Sequence, residues 1–118
     1  MSVLGDKIRA RREAWLELDE PPRRALKIRR LPESRMGMFL VGKRIDLQTS
    51  CDCVVGWRHV TEADLLGQEV GASDEQEFDA DALRELLADD VELLGRVNDH
   101  IVSSVQRFLE DKAAAEKN

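Results

Sequence analysis

The feature that most constrains this chain is an apolar stripe near its C-terminal end. Wound as a helix over 90–112, Val91, Leu94, Val97, Ile101, Val102, Val105, Phe108 and Leu109 fall within an arc of about 140°. A helix with so wide an apolar face needs a partner surface, because helices of this kind owe most of their stability to tertiary packing. Asn98 interrupts the stripe. It reads either as a polar residue that fixes a helix-to-helix register between subunits, or as a group satisfied at the rim or by buried backbone. His100 projects away from the arc and is expected to face solvent. The tail, 113–118, is expected to fray.

The stripe has a well-marked approach. Asp79 is placed to cap a helix over 80–88, with Asp81 in its first turn, a Phe78/Leu83 staple, and Leu83, Leu86 and Leu87 on its apolar side. Asp89 and Glu92 have the spacing of a capping box for the last helix. Further back, Thr61 and Asp64 carry a second start signal, with Val60 and Leu65 at the staple positions and Gly67 as the stop. Residues 56–67 thus read as a tight corner anchored by Trp57, and 68–77 as an acidic loop. Gln76, Glu77 and Phe78 have the makings of a brief strand beside 57–60.

The front half is less regular. Leu4, Ile8, Trp15 and Leu18 share one face if 4–18 is a helix, which Pro21 and Pro22 would end. Residues 24–31 alternate, with Leu26 and Ile28 opposite the charges. This predicts a strand whose arginines suit an exposed sheet edge. Residues 33–42 fit either a helix or a strand, and 43–55 is expected to be helical. The expected architecture is one domain over 1–118, mainly α with a small β element, an α+β fold like a helical bundle. A content of 36% charged and 4% aromatic residues favours that over a β-sandwich.

Charge is divided along the chain. Residues 1–44 hold 12 Lys and Arg against 6 Asp and Glu, and 45–118 hold 6 against 18. The basic part admits nucleic acid as a partner, but the acidic part would repel phosphate. Mutual complementation of the two parts is the favoured expectation, and nucleic acid is the alternative. No apolar run approaches the roughly 20 residues of a membrane span, and the opening residues do not resemble a signal peptide. A soluble, cytoplasmic protein is expected, with reduced thiols at Cys51 and Cys53.

Catalytic patterns are missing. Cys51, Cys53 and His59 lack a fourth metal ligand, and on a helix the two cysteines point about 200° apart. There is no glycine-rich phosphate loop, nucleophile elbow or paired-histidine zinc motif. Ser103 and Ser104 have no base at a useful spacing. The residues predict no metal, no cofactor and no enzyme.

The order of motifs does resemble a family. A segment expected to be helical, with Arg11-Arg12-Glu13-Ala14-Trp15-Leu16, leads to the Val54-Val55-Gly56-Trp57 corner. Then come a polar loop, Glu77-Phe78-Asp79 opening a helix with Leu83, Leu86 and Leu87, and the final amphipathic helix. This resembles the tail assembly chaperones of long-tailed bacteriophages and prophages, from about Val54 to Leu109 and more weakly over 9–31. The extra Val60–Gly67 turn and the basic front depart from the family pattern. The resemblance implies a small non-enzymatic protein that binds and solubilises the tape measure protein and helps recruit tail tube subunits. It also implies a homo-oligomer and, in many members, a longer frameshifted form. Trp57, Met36, Phe39, Asn98, Ile101, Val105 and Phe108 are the candidates for partner binding or self-association, with ordinary core packing as the competing account. A small nucleic-acid-associated adaptor and a structural subunit of a phage particle are the alternative functions.

Overall fold

Alternation in five residues organises the front of the chain. In Glu13-Ala14-Trp15-Leu16-Glu17, polar and large residues point one way, and Ala14 and Leu16 the other. The computed structural model, which describes residues 2–37 and 44–117, makes this segment strand β1 (Glu13–Glu17). It pairs antiparallel with β2 (Ala25–Arg29), matching Glu13 with Arg29 and Leu16 with Leu26. The expected 4–18 helix is therefore only α1 (Val3–Ala10), which Ser2 caps by accepting from the Gly5 amide at 2.9 Å. Trp15 and Leu18 leave the helical face, and Pro21 and Pro22 fall between two strands. The segment Arg11–Leu16, helical in the resemblance, is a turn and a strand. Strand pairing overrides helical periodicity here because it places Leu16 against the core and matches the charges of Glu13 and Arg29.

A second correction concerns β2, which lies at the centre of a three-stranded sheet of order β1-β2-β3, with β3 spanning Val54–Arg58. It needs no exposed edge, because its cations have carboxylates nearby. Arg29 donates to Glu13 at 2.7 Å, and Arg24 donates two bonds to Asp19.

Register explains which side chains go inside. Leu26 faces Trp57, Ile28 faces Val54, and the pairing shifts between Lys27 and Ile28. Val55 is the extra residue of this bulge. In a regular strand Val54 and Trp57, three positions apart, would lie on opposite faces; the bulge lets both point inward. On the outer face Trp15 is 40% exposed, between Lys27 and the Arg58 guanidinium, which lies 4.7 Å from its ring centre. The small Ala25 separates Glu17 from Arg58 in register, and the two side chains pair across it.

Among the described residues four further helices cover the inner face. The helix expected over 43–55 is shorter, α2 (Leu47–Cys53), capped by Asp46 and followed directly by β3. A single 3-10 turn, Glu33–Arg35, precedes it, while 38–43, with the expected Phe39 contact, lie outside the described residues. Then come α3 (Glu62–Leu66), α4 (Ala80–Asp89) and α5 (Val91–Glu116). The cap of α5 is Asp90, which accepts from the Leu93 amide at 3.0 Å, in place of the expected Asp89 box. The same helix continues to Glu116 through the segment expected to fray. Leu26, Ile28, Val54 and Trp57 from the sheet meet Leu83, Leu87, Val97 and Ile101 from α4 and α5 in one core. The result is a small, mainly helical α+β domain.

The basic and acidic parts do engage each other. Arg23 forms a two-pronged pair with Asp64, Lys112 pairs with Glu33, and Arg96 donates to the carbonyls of Glu17 and Leu18. Among the described residues no helix is long and apolar enough to cross a membrane.

Candidate interaction surface

The corner after β3 is held by local capping and by a distant arginine. Thr61 accepts from the Asp64 amide, and Asp64 accepts from the Thr61 amide at 2.8 Å, a complete capping box. Val60 is buried and Leu65 packs against the core, as a staple requires. Arg23 adds two bonds of 2.9 Å to Asp64 and one of 3.0 Å to the His59 carbonyl. That carbonyl belongs to a residue with φ of 58°, a left-handed turn that histidine tolerates better than most side chains. With the Arg23 guanidinium against it, the Asp64 carboxyl lies well below the ordinary range.

The acidic loop then doubles back on α3. Its carbonyls at Ala72 and Asp74 accept from the amides of Ala63 and Glu62, and Gln76 donates to Val60. Trp57 donates its indole N–H to the Gln76 carbonyl at 2.8 Å and meets Phe78 edge-on, with ring centres 5.1 Å apart. The strand expected over 76–78 beside 57–60 does not form, and an isolated bridge pairs Thr61 with Glu75 instead.

This arrangement leaves a groove of about 860 Å³ between α3 and the α4–α5 junction. Leu65, Leu66, Ala82 and Leu86 supply its apolar wall, and Glu62, Glu85, Asp89 and Asp90 its acidic rim. Leu66 is 61% exposed. Capping explains Leu65 but gives Leu66 no partner, and that surplus leucine is the one signal in the sequence that points to the groove.

Most residues nominated from the sequence lie elsewhere. Met36, Trp57, Ile101 and Val105 are buried, Trp57 at 8% exposure, so their apolar surface is already spent within the chain. Asn98 accepts from the Ser50 hydroxyl at 2.6 Å. Its partner lies on α2 of the same chain, which accounts for a polar residue in the stripe without a second subunit. Phe108 is half-buried beneath the Arg30 guanidinium, 4.1 Å from its ring centre. His100 is also half-buried, and burial lowers its pKa. Among the described residues the exposed large apolar side chains are instead Val3, Leu4 and Ile8 on α1, with Trp15, Leu66, Val70 and Val91.

The groove holds carboxylates but no nucleophile paired with a base. Among the described residues no group of His, Cys, Asp and Glu could hold a metal ion. Burial pushes the Cys53 thiol up to about 11 and raises that of Cys51 as well, so both stay protonated near neutrality. The arrangement is suited to holding an apolar segment with positive flanks. Comparison with protein-family models, curated proteins and solved structures finds no match to this chain.

Proposed function

We propose that this protein is a non-enzymatic phage tail assembly chaperone of the bacterial cytoplasm. It holds amphipathic segments of the tape measure protein, keeps that long helical client soluble, and assists recruitment of tail tube subunits. The observation that carries the reading is the groove of about 860 Å³ with leucine walls and an acidic rim. Such a surface accepts the apolar face of a helix and draws basic flanking residues, without demanding one sequence. The order of motifs from Val54 to Leu109 supports the same reading. The nucleic-acid alternative is weakened because Arg9, Arg23, Arg24 and Arg29 are engaged by carboxylates. Self-association belongs to the same proposal, and sedimentation at micromolar concentration tests it.

The decisive experiment is co-expression with a phage tape measure protein, the client this reading requires. The client should be soluble with the wild-type chain and insoluble without it. Leu66→Asp should abolish the effect, and weaken binding of client-derived helical peptides at least about tenfold, with little change in melting temperature because Leu66 is exposed. A client that stays insoluble with the wild-type chain, or is rescued equally by Leu66→Asp, overturns the reading.

A further inference from the structure

A second concavity, between the α1–β1 turn, the end of β2 and α5, has a volume of about 210 Å³. Arg11 and Arg12 approach it from the turn, Arg30 from the end of β2, and His100 and Arg107 from α5. None of these four arginines has a carboxylate within 4.0 Å among the described residues, whereas Arg9, Arg23, Arg24, Arg29 and Arg58 all do. The two acids at the pocket do not balance the cations. Glu13 is already bonded to Arg29, which leaves Asp111 to face Arg11, Arg12, Arg30 and Arg107 in the lining.

Arg30 is the best placed of the cations. It donates to the Leu31 carbonyl at 3.0 Å and lies over the Phe108 ring. Those contacts fix the plane of the guanidinium while leaving other N–H groups free to donate. Its pKa is lowered by burial and by the charge of Arg12, and that of His100 by burial and by Arg107. Glu33 opposes part of the lowering at Arg30. The cations at the pocket still outnumber the acids beside them, and an excess of this kind favours a bound anion.

We propose that this pocket binds a single phosphate group, as inorganic phosphate or as a phosphomonoester. A phosphate offers several oxygens to converging guanidiniums, whereas a carboxylate offers two. The small volume suits one such group. A net charge of −6 disfavours an extended polyanion such as a nucleic-acid backbone. This inference stands independently of the chaperone reading.

The test is isothermal titration of the full chain at low ionic strength with inorganic phosphate. A parallel titration uses a short single-stranded oligonucleotide without terminal phosphates. Phosphate should bind saturably with one site per chain. Arg30→Gln and Arg107→Gln should each weaken it at least about tenfold, a loss typical of a charged hydrogen-bond partner. Arg84→Gln, on α4 and outside the pocket, should leave it unchanged. Arg107 is exposed, so Arg107→Gln decides the matter if Arg30→Gln melts early. Absence of saturable phosphate binding, an equal loss with Arg84→Gln, or tighter binding of the oligonucleotide than of phosphate would each overturn the proposal.

Discussion

At Asp64 a local role and a long-range role coincide. The carboxylate closes a capping box with Thr61 and anchors Arg23 from forty-one positions earlier in the chain. The side chain is only 7% exposed, so Asp64→Ala leaves Arg23 and the Thr61 amide without their acceptor. A loss of about 1–3 kcal/mol is expected in denaturant unfolding. The same carboxylate, with Asp19, gives the acid limb of stability. Arg24 holds Asp19 at about 2 and Arg23 holds Asp64 lower than its ordinary value. Because both folded values lie below the unfolded value of about 3.9, their contribution is complete above that pH and is lost as pH falls through the folded values. Melting temperature should be flat between about pH 5 and 7 with respect to these groups and should fall below about pH 4. The fall should be shallower in Asp64→Ala. Gly71 is a purely steric case, since a Cβ there would lie 2.4 Å from the Ala63 Cα. Gly71→Ala should therefore cost about 1–3 kcal/mol, measured by the same unfolding curves, and an unchanged midpoint would mean that the loop does not press on α3.

At the scale of elements, α5 and β1 mark the difference between strong and weak local signals. The stripe on α5 holds where its core positions repeat, since Val97, Ile101 and Val105 are all buried. It starts later than expected, because Val91 in the first turn is 82% exposed. Ile101→Asp should abolish cooperative folding by placing a charge in the core. Asn98→Ala should cost only about 1 kcal/mol, the worth of its bond to Ser50, and should leave the sedimentation profile unchanged. A change of oligomeric state in Asn98→Ala would restore the subunit-register account of that residue. The β1 strand was hidden by a chance helical spacing of Leu4, Ile8, Trp15 and Leu18. The alternation over Glu13–Glu17 was present, but five residues support either period until β2 is placed alongside. The bulge at Val55 is harder still, since it exists only in the pairing of β3 with Lys27 and Ile28.

At the scale of the whole molecule, the division of charge is partly neutralised and partly put to use. Arg23 of the basic part pairs directly with Asp64 of the acidic part. Part of the remaining charge gathers at two separate places, an acidic-rimmed groove at α3 and α4 and a cationic pocket between β2 and α5. Neither surface was legible as a site. Each draws its residues from segments separated in the chain, the pocket joining Arg12 and Arg30 to Arg107 across most of its length.

The sequence by itself determined the helix starts at Thr61 and Asp79, the apolar faces of α4 and α5, and the inward side of β2. These depend on residues within one or two turns of each other, so neighbouring side chains and backbone amides suffice to specify them. Tertiary structure alone decided that β2 is central, that β1 is a strand, that Asn98 meets Ser50, and that Trp57 is a core residue. Each of those outcomes compares contacts between distant segments, and the larger burial or the better charge match wins over local periodicity.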